Sequence, residues 1–134
     1  PNKTVSATGS ITLDRSSTTV QVGLGYNSTL QTMRLEAGSQ DGTAQGKSKR
    51  IHSLTVRLFE TVGLLVGNST DNLDRVPFRS SAAAMNTAVP LFTGDKEIEF
   101  DGDYDTDGFI VIQQNQPLPM NVISLYPQFS TYDG

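Results

Sequence analysis

Cysteine and tryptophan are absent from this chain of 134 residues, and histidine occurs once, at His52. Without cysteine there is no disulfide framework, no thiolate metal site and no thiol nucleophile. Sugar clefts usually contain tryptophan, and a Ser-His-Asp triad would have to use His52. Because His52 falls on the apolar face of an alternating strand pattern, a histidine of the core or of an interface is the favoured interpretation. We therefore expect no enzyme.

Hydrophobic residues are only 36% and charged residues only 18% of the chain. Both shares are low for a soluble domain, and they fit a thin sheet or a domain that completes its core against a partner. No apolar run is long enough to span a bilayer, and no signal-peptide pattern is present. The length predicts a single domain, residues 1–134. Because the chain starts at Pro1 without an initiator Met, we expect an excised or processed domain of a longer protein.

The net charge of −4 is unevenly distributed. Residues 1–67 carry seven Lys and Arg against four Asp and Glu, a net +3, and residues 68–134 carry three against ten, a net −7. Solvated loops are one interpretation. The other is head-to-tail contact between identical subunits, because each molecule carries both complementary patches. The predicted interface residues are Lys47, Lys49, Arg50 and Arg57 on the basic side and Asp95, Glu97 and Glu99 on the acidic side.

Alternating apolar and polar residues predict an all-β fold, an antiparallel β-sandwich or a flattened barrel with long polar loops and at most one short helix. The clearest strand is residues 52–59, where Leu54, Val56 and Leu58 share one face. Residues 109–112 are a continuous apolar run, which is typical of a strand buried on both faces. Further strands are predicted at residues 10–13, 19–24, 26–35, 96–100 and 120–125, a two-turn helix at 80–88, and long polar connections at 39–49 and 67–80.

The loop from Gly42 to Ser48 superficially resembles a phosphate-binding loop. Its glycines are separated by three residues where that motif needs four, and a strand is predicted to follow instead of a helix. We therefore predict no nucleotide site. The basic residues here lack interleaved aromatic residues, so specific nucleic-acid recognition is not expected either.

An acidic segment after residue 100 matches the spacing of a calcium-binding loop. Asp103, Asp105 and Asp107 are followed by Gly108, which permits a sharp turn. Gln114, however, occupies the position where such loops place a bidentate carboxylate. The sequence leaves two interpretations open, a weak Ca²⁺ site and an acidic hairpin turn that binds nothing. No other cofactor is predicted.

Residues 20–58 carry the most informative motifs of the chain. The segments Val22-Gly23-Leu24-Gly25-Tyr26, Gly42-Thr43 and Gly46-Lys47-Ser48-Lys49-Arg50-Ile51 resemble the "vGlpY … Gt … GkkkRI" signature near the C-terminus of tail nozzle (tail tubular) proteins of short-tailed bacteriophages. Further segments are similar to this family in the same order, at residues 56–59, 62–64, 90–95 and 116–122. The resemblance covers residues 20 to about 126, most of the chain.

This resemblance implies a structural component of a phage or prophage tail, a subunit of a nozzle-like ring around the DNA exit channel. It implies other tail proteins as partners, non-specific passage of DNA, and location in the virion tail after assembly in the bacterial cytoplasm. It implies no catalysis and no cofactor. Nozzle proteins are much longer, so the resemblance implies either one C-terminal domain of such a protein or a separate small protein with that domain. The alternative function is a carbohydrate- or cell-surface-binding β-module, which would be Ca²⁺-dependent if the acidic loop held the ion.

Overall fold

The computed structural model describes residues 3–36, 42–85, 87–100 and 102–132, which contain strands and no helix. The strands are β1 (Ser28–Gln31), β2 (Ser48–Thr61), β3 (Leu65–Ser69), β4 (Asn72–Arg75), β5 (Phe92–Glu99), β6 (Val111–Gln114) and β7 (Val122–Tyr132). They form two antiparallel sheets, ordered β1-β6-β3-β4 and β5-β2-β7, which share one hydrophobic core. The predicted all-β fold is confirmed, as two open sheets and not as a closed barrel. Across these described ranges, no helix exists that could cross a lipid bilayer.

Strand β2 organises the three-stranded sheet. It pairs with β5 on one side and with β7 on the other. Leu54, Val56 and Leu58 are fully buried, whereas Arg57 between them is exposed. The alternation predicted for this strand is therefore confirmed, because successive side chains of a strand point to opposite faces.

Strand β6 lies inside the four-stranded sheet, between β1 and β3. Ile110, Val111 and Ile112 are all buried, as expected for the continuous apolar run that leads into this strand. The buried apolar side chains of β2, Val66 of β3 and Ile112 of β6 belong to a single hydrophobic cluster. Burial of each such side chain contributes about 1.5–3 kcal/mol, so this cluster is the main source of stability.

Two strand predictions for the first part of the chain are wrong, and a third is confirmed over a shorter range. Residues 10–13 and 19–24 form no strand, and of residues 26–35 only Ser28–Gln31 pairs, with β6. Alternation creates an apolar face, but a strand also needs a neighbouring strand to accept its backbone hydrogen bonds. The described sheets provide none for residues 10–13 and 19–24, and residues 4–31 are all exposed.

Residues 67–80, predicted as a long polar connection, contain part of a hairpin formed by β3 and β4. Gly67 permits this hairpin, because a Cβ atom there would lie 1.7 Å from the carbonyl oxygen of Asn72. The helix predicted at residues 80–88 is also wrong: the described residues of this segment form turns. Arg79 donates hydrogen bonds to the carbonyl oxygens of Ala84 and Thr87, which ties this segment into a loop.

Candidate assembly surfaces

The basic loop and the acidic turn contact each other within one chain. The backbone N–H of Lys49 donates to the carbonyl of Asp105 at 2.7 Å, and the N–H of Asp105 donates back to Lys49 at 2.8 Å. The Lys49 ammonium donates to the carbonyl oxygen of Thr106 at 2.9 Å. Arg50 Nε donates to the carbonyl of Gly102 at 3.0 Å. Two of the predicted interface cations are thus engaged by their own chain.

Lys49 is the clearest correction to the predicted interface. Its side chain is only 1% exposed, so it offers no surface to a neighbouring subunit. The inward position on β2 explains the burial, and the aliphatic part of the side chain packs close to Gly108. Lysine keeps its stem in apolar surroundings only if its ammonium finds a partner, which Thr106 provides here. Lys47 and Arg50 stay predicted interface residues.

The three aspartates of the predicted calcium loop do not converge. Asp107 is held by Arg34, whose Nε lies 2.6 Å from the carboxylate, while Asp103 and Asp105 are exposed. Among the described residues, no group of three or more His, Asp or Glu side chains is placed to hold a metal ion. Calcium binding needs several oxygen ligands directed at one point. This geometry fits the interpretation as an acidic turn.

The outer face of the three-stranded sheet carries an ion pair between directly opposed residues. Arg57 Nε and Nη2 donate to the two carboxylate oxygens of Asp95 at 2.7 and 2.8 Å. The guanidinium also lies 5.5 Å from the ring centroid of Tyr126 on β7. The hydrogen bonds from Arg57 hold the pKa of Asp95 below its usual value. The pair joins β5 and β2, the two sides that the sequence assigned to separate patches.

Strand β5 presents an acidic outer face. Asp95, Glu97 and Glu99 alternate along it and are all exposed. Lys96, the cation between them, faces the other way, with its ammonium 5.1 Å from the ring centroid of Phe92. Arg57 compensates Asp95 alone, so Glu97 and Glu99 keep this face acidic. An interface role for these carboxylates stays a prediction.

His52 is exposed, contrary to the predicted apolar position. A β-bulge between Ile51 and Ser53 on β2 explains the difference, because an extra residue shifts the alternation by one. The Nε2 atom of His52 forms a hydrogen bond with the hydroxyl of Ser130 on β7. The local sequence gives no sign of the bulge.

An open pocket of about 420 Å³ lies beside the edge of β7. Its lining residues are Thr43, Ala44, Lys47, Pro127, Gln128, Phe129 and Thr131. Glu36 fixes the loop on one side, accepting hydrogen bonds from the Thr43 hydroxyl at 2.7 Å and from the Ala44 N–H at 2.9 Å. These hydrogen bonds lower the pKa of Glu36, and the bond from Thr43 contributes most. Sequence reasoning missed Glu36, because only the fold brings it to this loop.

The N-terminal part of the chain exposes apolar side chains without a strand to carry them. Val22 is 75% exposed and Leu24 is 89% exposed, and Val20 and Tyr26 are also exposed. These residues alternate with small or polar ones, as in a half-buried strand. The described part of the molecule thus shows an apolar face that nothing covers. No protein-family model matches this chain, and no curated protein matches it significantly.

Proposed function

We propose that this chain is a structural subunit of a bacteriophage or prophage tail, part of a nozzle-like ring around the DNA exit channel. The observation that carries the proposal is the uncovered apolar face of Val20, Val22 and Leu24. Large exposed apolar surfaces mark interaction sites, so this face fits a part of a larger assembly. The resemblance of residues 20–126 to tail nozzle proteins indicates which kind of assembly this is, a phage tail.

The acidic face of β5 suits the channel side of such a ring. Glu97 and Glu99 are exposed there and lack the compensation that Arg57 gives Asp95. Carboxylates facing the channel would repel the phosphate backbone, so that DNA slides past without being retained. Engagement of Lys49 and Arg50 within their own chain favours this placement over an acidic-to-basic subunit contact. The proposed role includes no catalysis and no cofactor.

Electron microscopy of virions tests the proposal. Antibodies raised against the chain should label the tail tip in phage particles from the strain that encodes it, and mass spectrometry should find the chain in purified particles. Antibodies against the major capsid protein serve as the control for particle integrity. Absence of the chain from intact, tailed particles would contradict the proposed function.

One observation favours the alternative, a carbohydrate- or cell-surface-binding module. The open pocket beside β7 is lined by the aromatic residue Phe129 and by the polar residues Thr43, Gln128 and Thr131. Protein sites for small molecules commonly combine apolar walls with a few polar groups. Titration of the ¹⁵N-labelled chain with a panel of oligosaccharides distinguishes this function, because binding would shift the amide resonances of residues 128–131.

A further inference from the structure

The exposed alternating segment, residues 18–26, is here called the N-terminal arm. Val20, Val22, Leu24 and Tyr26 are exposed along it, and it pairs with no strand of its own described chain. Its pattern is that of a strand with one apolar face. A segment with this pattern can gain backbone hydrogen bonds by adding to the free edge of a sheet in another molecule.

The two sheets have four outer strands, β1, β4, β5 and β7. Natural proteins protect such edges by short length, by charged side chains or by proline. Strands β1 and β4 have four residues each, and β5 carries three carboxylates. Strand β7 is different, because it has 11 residues and no charge; Pro127 and a β-bulge at Ile123 are its interruptions. The edge of β7 is therefore the one most open to an additional strand.

The inner face of β7 is incompletely covered. Val122, Leu125 and Phe129 pack against the core but are only half-buried. The cause is their position on an outer strand, since the sheet does not continue beyond β7 in the described residues. A strand added next to β7 would extend the sheet and cover these side chains further. The open pocket at residues 127–131 leaves room along the same edge.

We propose that the N-terminal arm of one copy adds as a strand to the β7 edge of a second copy. Both segments lack charge. Residues 16–33, which include the arm, and 108–132, which include β7, are the two longest stretches without Asp, Glu, Lys or Arg. The β5 edge, with Asp95, Glu97 and Glu99, offers the apolar arm an acidic surface instead. An uncharged apolar strand is best matched by an edge strand that carries no charged side chain of its own.

The arm of the same chain contacts the connection that precedes its own β7. At Gly23 the backbone passes so close to Pro117 that a Cβ atom would lie 2.4 Å from the Cβ of Pro117. Pro117 belongs to the connection between β6 and β7, so this contact places Gly23 beside that connection. Contact between the arm of one copy and the edge of the next is heterologous, and such contacts build rings or open chains. Only the expectation of a closed ring rests on the proposed function.

Two charge substitutions test the arm and the edge separately. Val22→Lys places a charge on the apolar face of the arm, and Ile123→Lys places one on β7, at a side chain that is already exposed. Each should weaken self-association by about tenfold or more. Val22→Lys would have to bury a charge on the apolar face of the arm, and Ile123→Lys adds to the β7 edge the kind of charged side chain that protects edge strands from further pairing. Val5→Lys is the matched control, since Val5 is exposed but lies outside the arm, and its association should be unchanged.

Mixing the two variants is the decisive experiment. The Ile123→Lys copy keeps an intact arm and the Val22→Lys copy keeps an intact edge, so an equimolar mixture should form a dimer and nothing larger. Sedimentation velocity of each full-length variant alone and of the mixture gives the masses. Circular dichroism of each variant checks that the β-structure is retained.

The outcomes separate this inference from the proposed function. If the unsubstituted chain associates but the mixture does not recover a dimer, the arm-to-edge contact is wrong and the ring proposal stands. If the mixture recovers the dimer but the unsubstituted chain forms open filaments, the contact is right and the ring proposal fails. A monomer at every concentration measured overturns the arm-to-edge contact.

Discussion

The ammonium group of Lys49 and the carbonyl oxygen of Thr106 are joined by a hydrogen bond of 2.9 Å, formed between residues 57 positions apart in the sequence. The bond lies beside the antiparallel bridge between Lys49 and Asp105. Together they fasten the start of β2 to the acidic turn that precedes β6. The basic segment around Lys49 and the acidic turn, which the sequence alone suggests are separate surface patches, therefore contact each other within one chain.

Removing this ammonium should destabilise the fold. Lys49→Met keeps most of the apolar stem but leaves the Thr106 carbonyl without its donor, which costs about 1–3 kcal/mol of unfolding free energy. Lys3→Met, at a partly exposed ion pair, should change stability by about 0.5 kcal/mol or less. Urea unfolding followed by circular dichroism measures both. Equal midpoints for the two variants would show that the Lys49 bond contributes nothing.

The ion pair between Asp95 and Arg57 should make stability depend on pH. Because Arg57 lowers the pKa of Asp95 in the folded state, the contribution is present above the unfolded pKa of about 3.9 and is lost as the pH falls through the lower folded value. Asp95→Asn should therefore lower the melting temperature at pH 7, and the difference from the unsubstituted chain should shrink below about pH 4.

The matched control for this pH dependence is Arg57→Gln, which removes the partner and leaves the carboxylate. It should abolish the same pH-dependent part of the stability, and the double substitution should add little to it. Thermal melts between acidic and neutral pH measure all four proteins. If Asp95→Asn loses the same stability at every pH, the pair does not act through the pKa of Asp95.

Sequence patterns predicted the strands that have either an alternating apolar face or a continuous apolar run. Residues 52–59 lie within β2, and 109–112 lead into β6, because burial of Leu54, Val56 and Ile112 overrides local preference. The β3–β4 hairpin was missed, since its strands have only five and four residues and carry no long alternating pattern. Residues 19–24 show the opposite failure. Their alternation is present, but the partner strand that pairing requires is absent from the described chain.

The candidate surfaces were predictable as residue types but not as contacts. Arg57, Asp95, Lys49 and the acidic turn were all identified from charge alone. Pairing of Arg57 with Asp95 depends on the register between β2 and β5, and burial of Lys49 depends on a turn more than 50 residues away. Exposure of His52 depends on the bulge. Such details arise from tertiary structure, which local sequence patterns do not encode.

Gly67→Ala should disrupt the β3–β4 hairpin. Its new Cβ atom would meet the backbone carbonyl of Asn72, which cannot move without breaking the strand pairing. We expect a loss of about 3 kcal/mol or more of unfolding free energy. Gly25→Ala is the matched control, because no atom lies within 4 Å of a Cβ at that position, and its stability should stay within about 0.5 kcal/mol. Equal urea midpoints for the two variants would rule out the close approach of Gly67 to the Asn72 carbonyl.

Reversing the charge of the outer face of β5 should create DNA affinity. The double substitution Glu97→Lys and Glu99→Lys converts an acidic face into a basic one, so assembled particles should bind duplex DNA with an affinity that falls as salt rises. Asp71→Lys, in the exposed turn between β3 and β4, should have a much smaller effect. Electrophoretic mobility shifts at two salt concentrations measure this. Equal DNA binding by the Asp71 variant would argue against a special role of this face.

Native mass spectrometry of the unsubstituted chain, combined with negative-stain electron microscopy, tests the central claim most directly. A ring subunit should give one dominant mass that is an integer multiple of the 14.5 kDa chain, and images of closed rings with a central opening. Association should be retained in high salt, because the uncovered surface of the arm is apolar and uncharged. A 14.5 kDa monomer at all concentrations, with no rings in the images, would contradict the account.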